Sequence, residues 1–122
     1  MLWCPVRKVW LVAQPEEFVR QALIAYLLER GASLQLMQVE RKVGHTNDRL
    51  DLLLLSPDGR ARVLAEAKAP GYPLQPAIDQ LARYNRHWQA PYTLAVNGSQ
   101  ALCCHIDYDN RRVRQLDALP TF

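Results

Sequence analysis

Apolar and polar residues recur along this chain with the periods of helices and strands, and prolines and glycines separate the segments. A β-branched run predicts a strand over residues 6–12. Pro15, followed by two acidic residues, predicts the start of a first helix, and Gly31 predicts its end after Arg30. The apolar face of this helix is predicted to contain Phe18, Val19, Ala22, Leu23, Tyr26 and Leu27.

Three segments typical of strands follow the first helix. Residues 34–40 alternate imperfectly, and a polar loop at 42–48 leads to residues 50–55, which are almost continuously apolar. Asp51 is the only charge in that second segment, whose composition is typical of a strand buried on both faces. Because an unpaired buried carboxylate is costly, we expect a cation or a metal ion beside Asp51. The third segment, residues 62–68, is predicted to place Leu64, Glu66 and Lys68 on one side and Val63, Ala65 and Ala67 on the other.

A second helix and two further strands complete the predicted order. Pro76 predicts the start of the helix, which ends near Trp88 and carries Gln80 and Tyr84 one turn apart on a shared face. Its inner stripe is predicted to contain Ala77, Ile78, Leu81, Ala82 and Trp88. Strands are predicted at residues 92–96 and 101–107, on either side of an Asn-Gly hairpin signal, and residues 109–122 form a basic extension. A helix between a central strand and the next strand requires a crossover, so we expect an α/β (α+β) fold with a mixed sheet flanked by helices.

The turn Pro57-Asp58-Gly59 lies midway between Asp51 and Glu66 and predicts how the two acids meet. A two-residue loop on Asp58-Gly59 pairs Asp51 with Glu66 across the hairpin. A three-residue loop shifts the register by one, and a β-bulge absorbs the difference. In both cases Asp51, Glu66 and Lys68 lie close together, because opposed residues and residues two apart share a face.

Length and composition set further bounds. A chain of 122 residues fits a single domain over residues 1–122, with a core at about 14–108, and leaves no room for an ATP-driven motor. The net charge of +3 permits phosphate binding without requiring it. No apolar run has the length of a membrane span and no signal-peptide pattern occurs, so we expect a cytoplasmic protein.

The three cysteines do not predict a disulfide framework, because their number is odd and two of them are adjacent. Cys103, Cys104 and His105 are interpreted as strand residues, since a zinc site needs four ligands at recognisable spacings.

Two carboxylates and a lysine in one place are suited to phosphodiester hydrolysis. Asp51 and Glu66 could hold Mg²⁺, with the Ala67 carbonyl as a further ligand. Lys68 would orient the attacking water or help to deprotonate it. The alternative is a salt bridge of either acid with Lys68 or Arg49 beside a sheet, and the residues alone leave both interpretations open.

The order of motifs resembles a known family. Asp51, the Pro-Asp-Gly turn and Glu66-Ala67-Lys68 match the PD-(D/E)xK nuclease pattern. Residues 63–70, residues 15–21 of the first helix and Gln80-x-x-x-Tyr84 resemble the N-terminal nuclease domain of type I restriction enzyme R subunits. The resemblance covers roughly residues 14–108.

This resemblance implies a restriction-endonuclease-like αβββαβ core and Mg²⁺-dependent DNA cleavage, with Mn²⁺ as a substitute. By matching position, Asp51 and Glu66 would bind the metal and Lys68 would serve the water. Gln80 and Tyr84 would contact that water or the DNA backbone, and Glu17 would be an accessory acid. Without the family, Glu17 could simply complement the helix dipole, and Gln80 with Tyr84 could be a polar helix face.

The resemblance also implies partners. DNA is the expected substrate, and Lys42, Arg83 and Arg86 are candidate phosphate contacts, although scattered basic residues are usually only a solvated surface. A separate ATP-dependent translocase, a specificity subunit or a second copy of the chain would complete an assembly. The rival interpretation is a catalytically silent nucleic-acid-binding or assembly module that keeps the nuclease fold.

Overall fold

The structure, a computed structural model, describes residues 1–122 as one mixed six-stranded sheet with a helix on each face and a two-stranded hairpin before it. No helix is both long and apolar enough to cross a membrane. The elements in chain order are β1 Leu2–Cys4, β2 Val9–Leu11, α1 Pro15–Glu29, β3 Met37–Lys42, β4 Arg49–Leu55, β5 Ala61–Ala67, α2 Leu74–Trp88, β6 Tyr92–Val96, β7 Ala101–Asp107 and β8 Arg112–Leu116.

The sheet has the order β3-β4-β5-β6-β7-β8, so that strands adjacent in sequence are adjacent in space. Every neighbouring pair is antiparallel except β5 and β6, which are parallel because α2 carries the chain back across the sheet between them. The predicted mixed sheet flanked by helices is confirmed, and the fold is consistent with a restriction-endonuclease-like domain.

The two faces of the sheet bury separate cores. Val63, Ala65 and Ala67 of β5 pack on the α1 side, whereas Leu64 packs with α2. This is the alternation predicted for residues 62–68. The neighbouring strand β4 is also buried on both faces, with Leu52 and Leu54 on the α1 side and Leu53 on the α2 side, which accounts for its nearly continuous apolar sequence.

The α1 helix begins at the predicted proline, but its buried face is rotated relative to the prediction. Phe18 is 53% exposed, whereas Ile24 is only 1% exposed. Glu17 and Arg20 lie on the buried face instead. These two polar residues are tolerated there because they pair with other charges, which an analysis of apolar periodicity does not count.

Three predicted segments are wrong in detail. The single strand over residues 6–12 is the hairpin β1–β2, with Leu2 opposite Leu11. Residues 34–36 form a 3₁₀ helix, so that the strand predicted from residue 34 begins at Met37. The basic extension contains β8, an edge strand that pairs with β7 through its backbone and leaves most of its side chains exposed, which is why hydrophobic patterning does not reveal it.

The turn between β4 and β5 has a three-residue loop, Pro57–Gly59, which is the second of the two loop lengths predicted from the sequence. Ser56 N donates to Arg60 O at 2.8 Å, and Gly59 has a φ of +86°. A register shift between Leu54 and Leu55 absorbs the extra residue. Beyond this bulge the pairing continues to Leu52 opposite Ala65, the register that also sets Asp51 opposite Glu66.

Candidate active site

The backbone ladder between β4 and β5 stops one residue before the two acids. Past the last pair, Asp51 N donates to Glu66 Oε1 at 3.2 Å, and Ala67 N donates to Asp51 Oδ2 at 2.8 Å. Each carboxylate therefore accepts a backbone hydrogen bond from the opposite strand. This exchange fixes the two acids side by side and satisfies backbone donors that the ladder leaves free.

The ladder on the other side of β4 is also interrupted at Asp51. Val39 pairs with Leu52 and Arg41 pairs with Leu50, but Glu40 between them has a φ of +54° and no ladder partner. A left-handed conformation at a residue other than glycine is a local strain that often marks a functional site. Asp51 thus lies at a break in both of its neighbouring ladders.

Glu66 is almost completely buried, with 2% of its side chain exposed. Burial, and secondly the charge of Asp51, raises the pKa of Glu66 to about 9. The Nζ atom of Lys68 is 3.8 Å from Glu66 Oε2 and lowers this pKa by a smaller amount. Two adjacent carboxylates that disfavour being charged together are a suitable donor set for a hard divalent cation such as Mg²⁺.

Lys68 connects the acids to α2. Its Nζ donates to Gln80 Oε1 at 3.3 Å, and Gln80 Nε2 donates to Tyr84 Oη at 2.6 Å. The structure therefore brings Gln80 and Tyr84 into contact with the residues around Glu66. Tyr84 is also a core residue of the α2 side, with 4% of its surface exposed.

The other side of Asp51 is occupied by charges from α1 and the β1–β2 turn. Arg20 Nη2 donates to Asp51 Oδ1 at 3.2 Å, and Arg20 Nη1 donates to Glu17 Oε1 at 3.1 Å. Arg7 Nη1 donates to the same Glu17 oxygen at 2.8 Å. Burial lowers the pKa of Arg20, but the charges of Asp51 and Glu17 outweigh it and raise the pKa, so the guanidinium stays charged.

Sequence reasoning did not assign a role to Arg20 or Arg7. Glu17 and Arg20 are three residues apart, a spacing typical of a surface ion pair, and the partner Asp51 is distant in sequence. The apolar surroundings of Asp51 did predict a cation beside it. That cation is Arg20 and not Arg49, whose Nη1 donates to the carbonyl of Glu40 at 3.2 Å.

The predicted phosphate contacts lie on the surface. Lys42, Arg83 and Arg86 are exposed, and none of them pairs with a carboxylate. The loop after Lys42 meets the end of α2, since a side chain at Gly44 would lie 3.7 Å from His87 Nδ1. The three cations therefore belong to adjoining elements.

Other parts of the chain do not add metal ligands to this site. No group of three or more His, Cys, Asp or Glu side chains is placed to hold a metal ion. Cys103 packs in the α1-side core, where burial, and then the neighbouring Cys104, raises the pKa of its thiol to about 11. An apolar cleft of about 390 Å³ between α1 and strands β6 and β7 contains none of the clustered acids. The candidate site is the end of the β4–β5 hairpin where the two strands separate, and not this cleft.

A restriction-endonuclease-like sheet with two acids and a lysine where β4 and β5 separate is the architecture of the PD-(D/E)xK-like nuclease group. The chain belongs, within that group, to the family described as Type I restriction enzyme R protein N terminus (HSDR_N), which matches residues 15–120. A comparison with curated proteins gives no match. The family match confirms the resemblance seen in the motifs. The match begins after the β1–β2 hairpin and extends through β8.

Proposed function

We propose that this chain is a Mg²⁺-dependent deoxyribonuclease that hydrolyses phosphodiester bonds at the end of the β4–β5 hairpin. The proposal is carried by two hydrogen bonds, in which the Glu66 carboxylate accepts from Asp51 N and the Asp51 carboxylate accepts from Ala67 N. These bonds hold two acids side by side in a buried place where a purely structural protein gains little from them, because their like charges repel. Membership of a nuclease-like family supports the same assignment.

The roles follow from position and chemistry. Asp51 and Glu66 would hold one divalent cation, and the Ala67 carbonyl, water and substrate oxygens would fill its other positions. Such a cation, when bound, neutralises charge on the scissile phosphate and makes water more acidic. Lys68, whose ammonium lies beside Glu66, would position the attacking water and stabilise the developing charge on the phosphate.

Gln80 and Tyr84 would act through Lys68 and the substrate. The hydrogen bond from Lys68 to Gln80 restricts the position of the Lys68 ammonium beside Glu66. The hydrogen bond from Gln80 to Tyr84 orients the Gln80 amide. DNA would approach across Lys42, Arg83 and Arg86, whose charges are free to meet phosphates.

The proposal is tested by incubating the purified chain with supercoiled and linear DNA and either Mg²⁺ or Mn²⁺. We expect nicking or cleavage by the wild type and none by a Glu66→Ala variant of the same fold, as checked by circular dichroism. A matched control is Glu29→Ala, which removes an exposed acid at the far end of α1. Equal activity of the wild type and Glu66→Ala proteins under both metals would refute the proposal.

One observation favours a second candidate, the silent nucleic-acid-binding or assembly module. Arg20 already gives Asp51 a permanent cation at 3.2 Å, so that Asp51 is satisfied without a metal ion. Salt-dependent DNA binding that is unchanged by Glu66→Ala, together with an absence of nicking, would establish this function instead.

A further inference from the structure

Arg20 occupies the space between two carboxylates that a metal ion could otherwise bridge. One terminal nitrogen is 3.1 and 3.2 Å from the two oxygens of Glu17, and the other is 3.2 Å from Asp51. The second nitrogen is also 3.6 Å from Glu16. A planar guanidinium that donates from one terminal nitrogen to Glu17 and from the other to Asp51 is a geometric substitute for a bridging cation.

We infer that Arg20 takes the place of a second metal ion, so that this site binds one divalent cation and not two. The inference rests on the proposed function, because it concerns metal held by Asp51 and Glu66. Glu17 is then the hydrogen-bonding partner of Arg7 and Arg20 and not a metal ligand. Arg20 is thereby a positioning residue that holds Asp51 and sets the metal stoichiometry.

Two features keep Arg20 in this place. Its side chain is 10% exposed, and its neighbour Glu17 is 8% exposed, so both charges would lose their pairing inside the protein if they separated. Arg7 supplies a second guanidinium to Glu17 from the β1–β2 turn and fixes that carboxylate independently. A metal ion that bridges Glu17 and Asp51 would have to displace Arg20, which contacts both, whereas Arg7 contacts only Oε1 of Glu17.

The charges of the cluster lead to the same stoichiometry. Glu16, Glu17, Asp51 and Glu66 bring four negative charges when ionised, and Arg7, Arg20 and Lys68 bring three positive charges. One divalent cation converts this small negative excess into a single positive charge, which one DNA phosphate balances. A second divalent cation would leave two further positive charges without a partner among these residues.

The inference is tested without reference to activity, by titrating metal-free protein with Mn²⁺ and measuring free Mn²⁺ by electron paramagnetic resonance. We expect one Mn²⁺ per chain for the wild type and two for Arg20→Met, which keeps an unbranched apolar stem and removes the guanidinium with its charge. The double variant Arg20→Met, Glu17→Gln should return to one, because the second ion needs Glu17. Arg60→Met, which removes a charge from an 87% exposed side chain at the distant turn, is the matched control and should bind one.

Two ions in the wild type, or one in a folded Arg20→Met protein, would overturn the inference. No bound Mn²⁺ in either protein would overturn the proposed function itself and the inference with it. If Arg20→Met does not fold, Glu17→Gln decides the matter, since it retains Arg20. The inference requires that this variant still binds one Mn²⁺, and loss of that ion would overturn it by showing Glu17 to be a ligand.

Discussion

Asp51 is held by three groups from two elements, β5 and α1, and each contact has a different physical effect. The amide of Ala67 in β5 fixes one oxygen, Arg20 in α1 neutralises the other, and Glu66 lies against the backbone of Asp51 itself. The carboxylate is therefore oriented before any ligand arrives. Such preorganisation is what a site for charge stabilisation needs.

Lys68→Ala is expected to separate chemistry from metal binding. The ammonium lies beside Glu66 without belonging to the carboxylate donor set, so the variant should lose about 10²- to 10⁴-fold in cleavage rate, the usual contribution of a group that positions or deprotonates water. Its affinity for Mn²⁺ should change little. Single-turnover cleavage and Mn²⁺ titration measure the two quantities, and Lys8→Ala, at an exposed lysine, is the control. Loss of metal binding together with cleavage would make Lys68 a structural support for the acids.

Glu66→Gln is expected to stabilise the metal-free protein in a pH-dependent manner. The pKa of Glu66 rises from 4.5 to about 9 on folding, so the wild type should lose stability as the pH rises through this window, because the unfolded chain releases a proton that the folded chain retains. Glutamine removes this loss. Urea unfolding in the presence of a chelator should show almost no gain at pH 4.5 and a gain that grows with pH to about 5 kcal/mol at pH 8. A gain that does not depend on pH would contradict the assigned cause.

The two acids and Lys68 were predictable because hairpin register depends only on the turn and the period of a strand. Arg20 was not predictable in the same way. Its contact with Asp51 depends on how α1 is rotated against the sheet, and that rotation is set by packing of residues such as Ile24 rather than by local pattern. Buried charge on a helix therefore has to be located in three dimensions.

Among the elements, those whose apolar pattern is strong were predicted closely and those held by backbone pairing alone were missed. The strands 92–96 and 101–107 are found at the predicted bounds. In contrast, β8 consists mainly of exposed residues and contributes only Leu116 to the α1-side core. The 3₁₀ helix at residues 34–36 was predicted as a strand for another reason. Its Leu-Gln-Leu sequence has the alternation of a strand, and a single 3₁₀ turn is too short to show a helical period.

A substitution in the turn of the β4–β5 hairpin is expected to lower the stability of the protein and to leave the candidate site intact. Gly59 has a φ of +86°, and a Cβ atom there would meet nothing within 4 Å, so Gly59→Ala should incur only the backbone cost of about 1 kcal/mol. Thermal unfolding should show a decrease in Tm of about 4 °C. Cleavage and Mn²⁺ affinity at low temperature should be unchanged, because the bulge at Leu54 and Leu55 lies between the turn and the acids. A tenfold loss of either would show that the turn and the site are coupled.

At the scale of the whole molecule, the sheet order separates two basic surfaces. Lys42 ends β3 at one edge of the sheet, and Arg112 begins β8 at the opposite edge. Lys42, Arg83 and Arg86 belong to elements that meet near His87, since a Cβ atom at Gly44 would lie 3.7 Å from His87 Nδ1. The first surface therefore includes α2, the helix that carries Gln80 to the site.

This separation predicts which charges contact DNA. Alanine at Lys42, Arg83 or Arg86 should weaken binding by about 3- to 10-fold and reduce the salt dependence of the binding constant by about one phosphate contact each. Arg112→Ala, on the opposite edge, should do neither. Fluorescence anisotropy with labelled DNA at several salt concentrations measures both effects. Equal effects of Arg112→Ala and Arg83→Ala would show that DNA contacts both basic surfaces and not only the first.

The bulge between Leu54 and Leu55 has a practical consequence for handling this protein. The loop Pro57–Gly59 is exposed at its tip, and the paired residues from Leu54 to Leu52 keep their alignment by their own packing. A short foreign peptide, such as an epitope or a dye-binding tag, should therefore be accepted in this loop without moving the acids. Such a tag would report the position of the protein on DNA or within a larger assembly, and both chain ends would remain unmodified.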